Sequence, residues 1–80
     1  MYDYNICSQA DRALFHKQCQ AIETHIKPLK KEQTIQDIDG TLVKKYYHRL
    51  GQITVKNDEQ VGALYVTSDF DLTQFFQSAF

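Results

Sequence analysis

Ile35-Gln36-Asp37-Ile38-Asp39-Gly40-Thr41-Leu42-Val43 decides how the chain is read. Asp-Gly between two strand-like runs is the strongest short-range signal for a β-hairpin, because the turn needs a residue at positive φ and glycine supplies it without steric cost. The same logic extends through residues 34–67. A second turn is expected at Leu50-Gly51 and a third at Asn57-Asp58-Glu59-Gln60, where polar residues separate neighbouring β-branched runs. Ile53-Thr54-Val55 and Val61-Gly62-Ala63-Leu64-Tyr65-Val66-Thr67 have the branched and aromatic content that fits a pleated, half-buried surface. In the strand after the Asp-Gly turn, Leu42, Lys44, Tyr46 and His48 share one face and Val43, Lys45, Tyr47 and Arg49 the other.

Upstream, Tyr2, Tyr4 and Ile6 alternate with Asp3, Asn5 and Cys7, which predicts a short first strand. Ser8 is placed to cap a helix, with Asp11 close to a capping-box position. Phe15, Cys19, Ile22 and Ile26 then recur at steps of four, three and four, one apolar face of a 3.6-residue period widened by Leu14 and Ala21. Pro28 lacks an N–H and disfavours helix at Lys27, so the helix ends near Ile26. Lys30-Lys31-Glu32-Gln33 reads as a solvated connector. At the other end, Ser68 or Asp69 is expected to cap a short helix bearing Leu72, Phe75, Phe76 and Ala79.

The helix face needs cover, and one face of an antiparallel sheet is the cover available. The expected fold is therefore α+β and two-layered, an antiparallel β-meander packed on one long N-terminal helix, with a short C-terminal helix. Residues 1–80 are expected to form a single domain, since a chain of 80 residues builds one modest core. With 42% hydrophobic content, disorder is excluded as the general state. The first residues show no secretory pattern, and no apolar run approaches the roughly 20 residues of a membrane helix. Two cysteines, Cys7 and Cys19, do not make a disulfide scaffold, so a reducing, cytoplasmic setting is expected.

The net charge of −1 is unevenly spread. Residues 27–56 carry a surplus of four positive charges, whereas residues 57–80 contain Asp58, Glu59, Asp69 and Asp71 and neither Lys nor Arg. Segregated charge offers a partner two surfaces of opposite sign.

Three patterns invite a chemical reading. Asp37-Ile38-Asp39-Gly40-Thr41-Leu42 resembles the first motif of haloacid dehalogenase-type phosphatases. That resemblance implies Asp37 as nucleophile and Asp39 as acid/base, with a magnesium ion neutralising phosphate. The family needs an apolar parallel strand before the motif, and Lys31 to Gln36 is mostly polar, so the hairpin is the preferred reading. His16 and Cys19, with His25 and Cys7, lack the spacing of a zinc site, and neither metal nor cofactor is expected. Lys44-Lys45-Tyr46-Tyr47-His48-Arg49 mixes cations with rings, as nucleic-acid binders do. The overall acidity weighs against that use.

The C-terminal third joins aromatic anchors to acidic residues, which is what a protein-binding patch requires. Tyr65 and Phe70 with Asp58, Glu59, Asp69 and Asp71 are the candidate partner-binding residues. In size, layout and want of a catalytic set, the chain resembles small bacterial immunity proteins that neutralise a cognate toxin, often a nuclease. That resemblance implies a non-enzymatic inhibitor whose acidic side chains meet a basic toxin and cover its active site. A nucleic-acid-binding or regulatory module using Lys44 to Arg49 ranks second and a small enzyme third.

Overall fold

A computed structural model describes residues 1–75. In chain order it contains β1 (Tyr2–Cys7), α1 (Arg12–His25), β2 (Lys30–Lys31), β3 (Ile35–Gln36), β4 (Leu42–His48), β5 (Gly51–Asp58), β6 (Ala63–Ser68) and a 3₁₀ turn, Thr73–Phe75. The strands form one antiparallel sheet in the order β1-β6-β5-β4-β2, with β3 paired to the other half of β4. The α+β architecture and the β4-β5-β6 meander match expectation. The helix does not begin the chain: it is 14 residues long and follows β1. β1 becomes the edge strand beside β6, a long-range pairing that local patterns do not reveal.

The N-cap is Asp11, not Ser8. Residues 8–10 carry the chain from the sheet edge, and helical geometry starts only where two anchors converge. The Asp11 carboxylate accepts the N–H of Leu14 at 3.1 Å, and the Asp11 N–H donates to Asn57 Oδ1 at 2.8 Å. The helix closes near Ile26 as expected, with Lys27 in the left-handed region at φ 54° immediately before Pro28.

Phe15, Cys19, Ile22 and Ile26 are all buried, and they meet Leu42 and Tyr46 of β4, Ile53 and Val55 of β5, and Leu64 and Val66 of β6. Each strand contributes alternate residues to this face, as the pleat requires. Phe70 and Leu72, from the segment after β6, complete the core. Asp71 Oδ1 accepts the N–H and hydroxyl of Thr73, while Ser68 Oγ, one of the two expected caps, accepts the N–H of Phe70 and lies before the turn rather than at its start. Thr73–Phe75 is a single 3₁₀ turn. Phe76 and Ala79 lie outside the described residues.

Tyr46 is completely buried beneath α1. Its hydroxyl donates to Glu23 Oε2 at 2.7 Å, and burial pushes the phenol far above its ordinary pKa. Glu23 also holds Lys31 at 3.0 Å and Lys44 at 3.7 Å. The hydrogen bond from Tyr46 is the main reason that the Glu23 carboxyl lies below its usual value. A depressed carboxylate binds its proton less well folded than unfolded. Its stabilisation is therefore complete above the unfolded pKa, about 4.3, and is lost as pH falls through the lower folded value. Thermal melts from pH 6 down to pH 3 should show a shallower acid decline for Glu23→Gln than for the wild type. Parallel declines would mean that the network contributes nothing to acid sensitivity.

The residues expected to be a connector run along β4. Leu29 N–H donates to Tyr47 O and Glu32 N–H to Lys45 O, with β2 between them. Together with β3 they cover that edge of β4, although their side chains look like those of a loop. The third turn is also shifted. Asn57 and Asp58 belong to β5, and the turn is organised by Asp58, whose Oδ1 accepts the N–H groups of Gln60 and Val61. Gly62 closes it at φ 72°, its N–H donating to Asp58 O, so β6 begins at Ala63 rather than Val61.

Candidate protein-binding surface

The antiparallel register places the six candidate partner residues in separate regions. Asp58 and Glu59 lie before β6, and Asp69, Phe70 and Asp71 follow it. A six-residue strand holds them roughly 20 Å apart. Tyr65 stands between, on the sheet face opposite the helix, half-buried beside Asn5 and Lys56.

Most of these residues are engaged within the fold. Asp58 is buried, holds the turn and lies 3.7 Å from Lys56. Asp69 Oδ2 accepts the N–H of Gln52 at 2.9 Å. Asp71 accepts the hydroxyl of Tyr4, and its bonds to Thr73 hold its carboxyl below the usual range. Phe70 is in the core, its ring 5.1 Å from that of His48 and 5.9 Å from that of Phe75. Of the four acids, only Glu59 is exposed without a side-chain bond that the fold uses.

Glu59 has company that its sequence position does not suggest. The Asp37–Gly40 hairpin turn is closed by Asp37 N–H to Thr41 O at 2.9 Å and Gly40 N–H to Asp37 O at 3.0 Å, with Gly40 at φ 91°. Thr41 is buried, and its Oγ1 accepts the Glu59 N–H at 3.0 Å. That bond ties the β3–β4 turn to the β5–β6 turn. The Glu59 side chain lies over Gly40, where a Cβ would meet Glu59 Cγ at 3.5 Å.

The result is one end of the sheet bearing Asp37, Asp39 and Glu59 around Ile38, which is fully exposed. A shallow groove of about 350 Å³ is lined by Asp37, Ile38, Asp39 and Gln60. Asp39 accepts the Thr41 N–H, the chief reason its carboxyl is held below the usual range, so it stays ionised. Sequence reading singled out Asp37 and Asp39 for a phosphatase motif and Glu59 for a distant patch. The β4–β5 pairing, Leu42 opposite Asn57, is what unites them.

The phosphatase-like motif thus occupies the tip of an antiparallel hairpin. Among the described residues, no group of three or more His, Cys, Asp or Glu side chains is placed to hold a metal. Cys19 is core, and burial raises its thiol. The basic-aromatic strand is divided by its own pleat. Lys44 turns to Glu23 and Tyr46 is buried, while Lys45 and Tyr47 face away from the helix, the Tyr47 hydroxyl bonded to Glu32. Among the described residues, no helix is long and apolar enough to cross a membrane. No protein-family model, curated protein or solved structure matches the chain.

Proposed function

We propose that this chain is a small inhibitory binding protein of the immunity type, which neutralises a basic toxin domain, nuclease-like in charge, by covering its active site. The reading makes it a cytoplasmic protein with no cofactor and no catalytic role of its own. Its two free thiols, Cys7 and Cys19, suit a reducing compartment.

The observation that carries the proposal is the turn end of the sheet. Ile38 has no packing role in the fold, yet it stands exposed between two carboxylates with a third beside it. An apolar anchor within an acidic surround suits a desolvated contact with a positively charged partner. The anchor supplies affinity, and the carboxylates steer association. Glu59 is retained from the expected site; Asp37, Ile38 and Asp39 join it.

The test is recovery of partners from the native host on immobilised wild type and on Asp37→Asn/Ile38→Ser/Glu59→Gln, followed by assay of the recovered protein. Asp39 is left unchanged because it braces the turn. The expected result is a basic protein recovered by wild type and lost by the variant, with a toxic or nuclease activity that added wild type suppresses. Equal recovery by both proteins, or a partner whose activity is unaffected, would refute the assignment.

A second reading keeps a nucleic-acid module, now on the face opposite the helix, where Lys30, Lys45 and Lys56 accompany Tyr47 and Tyr65. Only half of Lys44 to Arg49 serves that face, and the Tyr47 hydroxyl is already bonded to Glu32. Titration of labelled DNA and RNA at low salt distinguishes the readings. The inhibitory reading expects no binding; tight binding lost in Lys45→Ala/Lys56→Ala would replace it.

A further inference from the structure

The two edges of the sheet are finished differently. The β4 edge is covered along its length by residues 29–36, with Lys30 and Lys31 on the outermost strand. Short, charged, interrupted strands are the usual protection against edge-to-edge pairing. β1 contains neither Lys nor Pro, runs in regular register from Tyr2 to Asn5 before the ladder shifts between Asn5 and Cys7, and pairs with no second strand among the described residues.

The direction of its free backbone groups follows from the ladder. Asp69 N–H donates to Gln52 O, so the even-numbered residues of β5 face β6. By alternation Leu64, Val66 and Ser68 then face β1, where Tyr2 is opposite Ser68 and Tyr4 opposite Val66. Asp3 and Asn5 are left with N–H and C=O groups directed outward.

We propose that β1 pairs with β1 of a second copy about a two-fold axis at Tyr4, joining the two sheets into one. Antiparallel pairing must oppose outward-facing residues to outward-facing residues. The register centred on Tyr4 sets Asp3 against Asn5 of the second copy and Asn5 against its Asp3. A register centred on Asp3 would oppose two carboxylates, and one centred on Asn5 would shorten the overlap. The chosen register also sets Tyr2 against Ile6, both on the helix side of the sheet. On the other side it brings Met1 of each copy towards the register shift that follows Asn5 of the other.

The groove there says what the edge receives. About 510 Å³ in volume, it lies beside β1 and is lined by Asn5, Ser8, Val61, Gly62, Ala63 and Tyr65, among others. Met1 is 86% exposed, Val61 72% and Tyr2 45%. Three of the exposed apolar side chains thus flank one strand edge. Main-chain bonds supply the pairing, and the groove takes the side chain that fixes its register.

Sedimentation velocity of the full chain over a wide concentration range tests this. Wild type should shift towards a species of twice the 9.3 kDa chain mass as concentration rises. Asn5→Asp creates two like-charge pairs per dimer and should raise the dissociation constant about tenfold. Asn5→Lys places opposite charges across the strands and should hold or tighten the dimer. Asn5→Pro removes an outward N–H that the β1–β6 ladder does not use, and should leave a folded monomer by circular dichroism. A wild type that stays monomeric throughout overturns the proposal. So does a dimer that Asn5→Asp and Asn5→Lys affect alike.

Discussion

Phe15→Ala should remove about 3–5 kcal/mol of folding stability, the range for truncating a fully buried aromatic. A chain of this length holds on the order of 4–12 kcal/mol in total, so the variant should approach the limit of folding at 37 °C. Phe15 is wholly buried and lies in the first turns of α1, directly over the sheet. The start of the helix is held in place there by Asp11 and Asn57. At roughly 4–8 °C per kcal/mol for a domain of this size, the melting midpoint should fall by on the order of 20 °C. Ile22→Ala, further along the same face, should cost about 2–5 kcal/mol. Melts that barely move for both would show that the helix contributes little by packing on the sheet.

The second large effect is expected at a glycine. Gly51 starts β5 at φ 147°, and a Cβ built there lies 2.5 Å from Asp69 Cβ. Asp69 cannot withdraw cheaply. Its carboxylate accepts the Gln52 N–H, and its own N–H donates to Gln52 O. Gly51→Ala therefore combines backbone strain with a clash against a bonded neighbour, together about 3 kcal/mol. Gly62 is the internal control. It also has positive φ, at 72°, but a Cβ there meets nothing within 4 Å. Gly62→Ala carries strain alone, about 1 kcal/mol. Urea denaturation of the pair should give clearly different midpoints with similar slopes. A Gly51→Ala midpoint no lower than that of Gly62→Ala would contradict the close approach of Asp69.

What could be read without coordinates was whatever the chain expresses locally. Phe15, Cys19, Ile22 and Ile26 announce a helix face because 3.6-residue spacing is a local property. Asp39-Gly40 announces a hairpin for the same reason. The errors came where a distant group decided the outcome. Ser8 was as good a cap as Asp11 until the Asn57 side chain was placed beside the latter. Asn57 looked like a turn residue because nothing local shows that it faces Leu42 and Leu64 in the core. Its Oδ1 serves Asp11, and its Nδ2 is buried with no hydrogen-bond partner among the described residues. The candidate surface fared likewise. Acidic content was visible, but the division of Asp58 and Glu59 from Asp69 and Asp71 is a product of strand direction. The union of Glu59 with Asp37 and Asp39 is a product of register.

The pairing of β1 with β6 also fixes an order of assembly. Tyr2 meets Ser68, so β1 leaves a ribosome well before its mate β6. Until then Tyr2, Tyr4 and Ile6 have no pairing surface, while β4, β5 and α1 can already associate through nearer contacts. Closing so long a loop comes late because its entropy must be met by contacts formed beforehand. The same step, run backwards, is the least costly opening of the native sheet. The amides of Tyr2 and Tyr4 should therefore exchange with solvent sooner than those of Ile53 and Val55 in its centre.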